Sequence, residues 1–160
     1  MASYLSELSL EYLEHIEIER GRSSRTAENY GHYLERLVEF AGDIAVGNIT
    51  MELVRKYRLW LNRYENDNGE TLSTTTQAYH LIALRGFLSY LVRRDIKSLS
   101  PEKIDLPKTV RKQVTFLTRD EVLRLLEIIP KTDNQTDLRD LAIIELLFSS
   151  GLRVSELTEL

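Results

Sequence analysis

The sequence predicts an all-α protein. Three features carry that prediction: apolar residues recur at spacings of three and four, Ser or Thr stands ahead of several of these runs, and Gly or Pro follows them.

From Tyr4 to Arg20, the residues Leu5, Leu8, Tyr12, Ile16 and Glu19 share one side of an amphipathic helix with an acidic outer face, and Gly21 ends it. Ser23 or Ser24 caps a second helix to about Ala41, with Tyr30, Leu34, Leu37, Val38 and Ala41 inward. Gly42 and Gly47 bracket a short connection. Thr50 opens a third helix carrying Leu53, Val54, Tyr57, Trp60 and Leu61. The polar run Glu65–Glu70 reads as a turn, and Ser73 caps a fourth helix to about Arg94, with Leu81, Leu84, Leu88 and Leu91 inward. Four helices with short connections make a compact bundle.

Residues 96–117 change character. Two prolines, several lysines and no helical stripe make them a linker, with room for a short extended piece at Gln113–Phe116. Thr118 and Glu121 have the reciprocal spacing of a capping box ahead of Val122, Leu125, Leu126 and Ile129, and Pro130 stops that helix. A strongly apolar helix follows from about Thr136 to Ser150, through Leu141, Ile144, Leu147 and Phe148. Gly151 terminates it, since glycine takes the left-handed conformation without penalty. Val154, Leu157 and Leu160 resume a helical spacing, which places Arg153 in the first turn of a new helix. Leu141, Ile143, Ile144, Leu146, Leu147 and Phe148 spread around most of their helix, more apolar surface than three helices can bury.

The composition, 42% hydrophobic and 29% charged, suits a protein with a real core and a soluble surface. With no cysteine there is no disulfide framework and no thiolate zinc site. Neither a membrane-length apolar run nor a signal-peptide pattern is present, so the expected location is the cytoplasm. The net charge of −4 argues against a nucleic-acid partner until it is divided along the chain. Residues 1–19 hold five acids and no bases, residues 20–64 eight bases against five acids, and residues 85–113 eight bases against three acids. Segregation of this kind can place a basic face on an acidic protein, and phosphate binding responds to the local face. Charge alone favours the plainer reading of solvated faces of mixed sign.

Searches for metal and nucleophile chemistry return nothing. His15, His32 and His80 are isolated and read as surface or interhelical residues, and no Gly-rich phosphate loop or nucleophile elbow occurs. There remains the arginine at the last break. A cation near a helix N-terminus is mildly unfavourable, so Arg153 either pairs locally with Glu156 at (i, i+3) or helps bind an anion. Spacing alone favours the pair.

The terminal "SSGLRVSELTEL" closely resembles the segment around the first catalytic arginine of tyrosine site-specific recombinases of the integrase and Xer type. Upstream, "LTRDEVLRLLE" resembles the opening helix of their catalytic domain, and "LRDLAIIELLFSSG" the helix leading to the arginine. "RTAENYGHYLERLVEF" and "TTTQAYHLIALRGFLSYL" resemble the second and fourth helices of their core-binding domain, and "IDLPK" the join between domains.

The resemblance implies a four-helix, SAM-like core-binding domain at 1–95, a linker at 96–117 and the first helices of a catalytic domain at 118–160. It implies that Arg153 is one of two arginines gripping the scissile phosphate. A guanidinium fork matches two phosphate oxygens, and a fixed donor of this kind supplies about 3–4 kcal/mol to the transition state. The family's tyrosine nucleophile, His-x-x-Arg motif and remaining catalytic residues all follow the first arginine, whereas the last of the eight tyrosines here is Tyr90. The expectation is therefore that these residues bind DNA without cutting it. The parent would break and rejoin DNA through a 3′-phosphotyrosyl intermediate with no metal or cofactor, as in chromosome partition or DNA integration. The partners implied are a double-stranded recombination site and further recombinase subunits in a tetrameric synapse, with no membrane.

By the same resemblance the second and fourth helices face the major groove. The candidate contacts are Arg25, Thr26 and Asn29 on the second, Thr75, Thr76, Gln77 and His80 on the fourth, Arg85 toward a phosphate, and Lys108 in the linker with Lys103, Arg111 and Lys112. Capping and solvated helix surface explain such residues equally well, and are preferred at Ser73 and Thr74. The rival functional readings are a non-enzymatic helical adaptor that binds protein and a natural truncated relative that occupies sites without cutting.

Overall fold

Ser23, Thr50 and Ser73 each accept a hydrogen bond from the backbone N–H three residues on, at 3.3, 3.2 and 3.1 Å, and so fix where three helices begin. The computed structural model describes residues 4–66, 69–107, 115–130 and 134–160. The chain divides into two units, residues 1–110 and 111–160. Helices account for all regular structure among the described residues, alongside two isolated β-bridges.

The first unit holds four helices: α1 (Leu5–Glu14), α2 (Ser24–Ala41), α3 (Met51–Arg63) and α4 (Thr74–Arg93). The first does not run as one α-helix to Arg20, as the spacing suggests. His15–Glu19 winds as a π-helix, a wider turn that buries Ile16 and leaves Ile18 exposed. The start of the chain is tied down by Ser6, whose N–H and hydroxyl donate to the Asp43 carboxylate at 2.9 and 2.8 Å, and by Leu5 N–H to the Ile44 carbonyl. That arrangement holds the Asp43 carboxyl below its usual pKa, chiefly through the backbone N–H of Ser6.

α2 packs on α1, α3 and α4. A Cβ on Gly31 would stand 3.2 Å from the Leu13 side chain, so the absence of one lets α1 and α2 approach closely. α4 is the central helix. It buries Leu81, Leu84, Phe87, Leu88 and Leu91 together with Ala78, Ala83, Tyr90 and His80, which is most of its circumference. Leu34, Leu37, Tyr57 and Leu61 complete the core from α2 and α3.

Packing continues past residue 95. Ile96 and Leu99 lie against the core, Pro101 is buried in a 3-10 turn at Pro101–Lys103, and Ile104 is 1% exposed. The front of the expected linker is therefore part of the first unit, because apolar side chains at wide spacing dock on the bundle without forming a helical stripe.

The second unit holds α5 (Arg119–Ile128), α6 (Gln135–Ser150) and α7 (Val154–Leu157). The Thr118–Glu121 capping box is formed: the Glu121 carboxylate accepts Thr118 N–H at 2.7 Å, and the Thr118 hydroxyl oxygen accepts Glu121 N–H at 3.4 Å. Ile129 takes the extended conformation that a following proline imposes, which ends α5. Gly151 ends α6 in the left-handed conformation, at φ 68°. Val122 is the one buried apolar residue of this unit among the described residues, and Phe148 is 58% exposed. Of the expected extended piece, Gln113 and Val114 lie outside the described residues, and Thr115 and Phe116 hold no strand. No helix among the described residues is long and apolar enough to cross a membrane.

Candidate nucleic-acid interface

α2 and α4 run antiparallel. Near one end of the pair Thr26 and Tyr30 of α2 share a cleft with Gly86, Ser89 and Arg93 of α4. Further along, the Tyr33 and Tyr79 rings stack with centroids 6.3 Å apart and planes 13° apart. The N-terminal residues of α2 therefore stand beside the C-terminal half of α4, and the N-terminus of α4 lies toward the other end.

This arrangement divides the candidate contacts into two sets. Arg25 and Asn29 are exposed on α2 and make no hydrogen bond or ion pair within the described residues. Thr26 is half-buried, and its hydroxyl lies 3.0 Å from that of Ser23, so capping occupies part of its capacity. Thr75 is exposed at the far end. Thr76 is half-buried with its hydroxyl 2.8 Å from that of Ser73, and the Gln77 amide donates to the Leu72 carbonyl at 2.8 Å. Thr76 and Gln77 thus serve the helix start directly. The Thr75–Gln77 set and Ser89 stand about 20 Å apart along α4, at 1.5 Å per residue. Arg85 is exposed on α4, within electrostatic reach of Glu102. Lys108, Arg111 and Lys112 lie outside the described residues, and Lys103 is exposed.

His80 is a correction. It is 2% exposed, its Nδ1 is 3.3 Å from the Tyr57 hydroxyl, and its ring meets that of Tyr33 at 4.7 Å. Burial pushes its pKa down to about 4, so the ring is neutral at physiological pH. A neutral imidazole inside the bundle reaches no groove. His80 is a core residue, on the stripe it shares with Leu84, Phe87 and Leu91.

Arg153 stands at the N-cap of α7, one position before the first turn where the spacing puts it. Its backbone N–H donates to Glu156 Oε2 at 2.7 Å and its guanidinium to Oε1 at 3.1 Å. The local pair left open by the sequence is therefore formed. The arginine side chain nevertheless remains 82% exposed. Exposed pairs of this kind contribute only a few tenths of a kcal/mol, so the guanidinium is not committed to Glu156.

Sequence reasoning missed Arg20, Arg22 and Arg93, which line the cleft beside Thr26. Arg20 and Arg22 flank a helix-ending glycine and Arg93 closes α4, where bases suit the helix dipole, so the local pattern already accounts for them. Tyr33 and Tyr79 were missed as well. Their i and i+3/i+4 neighbours Tyr30, Arg36 and Thr75, Thr76 mark the two helix faces only once the helices are paired.

A pair of helices with exposed, uncommitted bases at the start of one, on a SAM-like four-helix frame, defines a class before any relative is consulted. Residues 10–95 match the family described as phage integrase, N-terminal SAM-like domain. The chain belongs to this phage-integrase family and corresponds to the N-terminal part of a tyrosine recombinase. It is 34% identical over 155 residues to tyrosine recombinase XerC of Xylella fastidiosa strain M23, covering 96% of this chain and 51% of that one. It is 34% identical over 151 residues to tyrosine recombinase XerD of Oceanobacillus iheyensis (94% and 50%), and 36% identical over 147 residues to XerC of Psychromonas ingrahamii (91% and 48%). The chain spans about half the length of the curated relatives it matches.

Proposed function

We propose that the first unit binds duplex DNA through the α2–α4 pair, as the DNA-binding part of a recombinase. The observation that carries this reading is the exposure of Arg25 and Asn29 at the start of α2, with no partner within the described residues, beside the arginine-bearing end of α4. The two polar ends of the pair are about 20 Å apart, while a major groove is about 12 Å wide. A helix pair of that reach lays its middle over the groove and its ends on the flanking phosphate chains. Phosphate contacts of this kind position the protein, while Asn29 is suited to an adenine edge.

For the longer protein, the reading is breakage and rejoining of DNA at a specific site through a phosphotyrosyl intermediate, by several recombinase subunits assembled on two sites. Similarity to Xer recombinases over nearly the whole chain supports it. Arg153 would leave its weak pair with Glu156 and grip the scissile phosphate with its planar fork. The 160 residues by themselves bind but do not cleave, since their tyrosines lie in or before α4, on the first unit.

Titration of a labelled duplex at low and moderate salt tests the reading. Affinity should fall steeply with salt as counterions are no longer released, and reversing charge at Arg25 and Arg85 together should weaken binding to every sequence. Salt-independent binding, or none at low salt, contradicts it.

A further inference from the structure

We infer that the cleft between the π-helical turn, the start of α2 and the end of α4 seats one backbone phosphate of duplex DNA. The inference rests on the DNA-binding reading and names a site that reading does not contain.

The cleft has a volume of about 480 Å³ and is lined by Arg20, Arg22 and Arg93 with Thr26, Ser89 and Tyr12, among others, and no carboxylate lines it. The carboxylates nearest in sequence are engaged elsewhere. Glu11 and Glu19 pair with Arg94 at 3.5 and 3.7 Å, and Glu19 also holds His15 at 2.7 Å. Arg20, Arg22 and Arg93 make no ion pair within the described residues. Three guanidinium groups around one opening repel each other, and an anion placed among them removes that repulsion while filling their forks.

The floor of the cleft is shaped for a ligand. The Tyr12 hydroxyl makes no hydrogen bond within the described residues, and burial raises its pKa, so it remains a donor. A Cβ on Gly86 would fall 2.5 Å from that hydroxyl, so glycine at 86 leaves the donor free of a side chain above it. The arginines are exposed rather than enclosed. An open seat of this kind suits a phosphate presented on a polymer, and the cleft shares Thr26 with the α2 contact set next to Arg25.

The test uses the full 160-residue chain, a duplex titrated at several salt concentrations, and the double variant Arg22→Gln/Arg93→Gln. Each phosphate-bound base removed lowers the slope of log affinity against log salt by about 0.9. The double variant should therefore reduce the slope by about 2 and weaken binding roughly tenfold or more at low salt, while its thermal melting stays that of the unchanged chain. Tyr12→Phe should weaken binding several-fold without changing the slope, because it removes a neutral donor. An unchanged slope in the double variant, with the parent chain still binding in a salt-dependent way, overturns the cleft and leaves the DNA reading intact. No duplex binding by the parent chain overturns both. In a second arm, inorganic phosphate is titrated while the amide signals of Thr26 and Ser89 are followed. Saturation at concentrations that leave duplex binding undisturbed assigns the cleft to a free anion and overturns the inference, whereas shifts reproduced by duplex at far lower concentration support it.

Discussion

The hydroxyl of Tyr57 lies 3.3 Å from Nδ1 of His80, joining α3 to α4 inside the first unit. Burial raises the pKa of the phenol and lowers that of the imidazole, so the hydroxyl donates to a neutral ring. This contact makes the bundle acid-sensitive in a defined window. The folded pKa is about 4 against an ordinary value of 6.5.

Between those values the unfolded chain holds the proton and the folded chain does not. The stability associated with His80 is therefore complete above pH 6.5 and is lost as pH falls toward 4. From pH 7 to pH 5 the loss should be about 2 kcal/mol. Urea unfolding of the parent chain and of His80→Gln across that range checks this. The difference between them should shrink by that amount, and parallel pH courses would show that His80 is not held neutral.

Gly86 and Tyr12 should be coupled with a change of sign. Alanine in a helix interior is better than glycine by about 1 kcal/mol, but here its Cβ would meet the Tyr12 hydroxyl at 2.5 Å. Overpacking costs about 1–3 kcal/mol, so Gly86→Ala should destabilise the chain on balance. In the Tyr12→Phe background the nearest atoms stand at 3.6 and 3.7 Å, ordinary contact, and the same substitution should stabilise. A double-mutant cycle by denaturant unfolding measures the coupling, and additive effects would contradict the close approach.

The pattern of agreement with the sequence follows the range of the forces involved. Ser23, Thr50, Ser73 and Thr118 cap helices through bonds closed within three residues, so a local reading finds them. The left-handed Gly151 is equally local. His80 went wrong because its burial depends on Tyr57 and Tyr33, 23 residues away on α3 and elsewhere on α2. The π-helical winding at His15–Glu19 leaves no mark on apolar spacing. Arg20, Arg22 and Arg93 form a group only because α2 and α4 pair antiparallel, and no window along the chain contains all three.

Trypsin should respect the extended packing of the first unit. Lys97 and Lys103 precede Ile104, which is buried, and Arg58 donates from its guanidinium to the Asp105 carbonyl. The stable product should therefore end beyond Ile104, with first cuts on its C-terminal side rather than at Lys97. Mass spectrometry of a limited digest decides this. An early product ending near residue 95 would mean that the segment around Pro101 and Ile104 does not hold to the bundle.

The central claim is that α2 and α4 carry the DNA, and hydrogen exchange of the 160-residue chain with and without a saturating duplex tests it most directly. Binding should slow exchange at the start of α2, around Arg25–Asn29, and along α4 near Thr75–Gln77 and Ser89–Arg93, leaving the outer faces of α1 and α3 unchanged. Protection confined to α1, α3 or α6 would contradict the account.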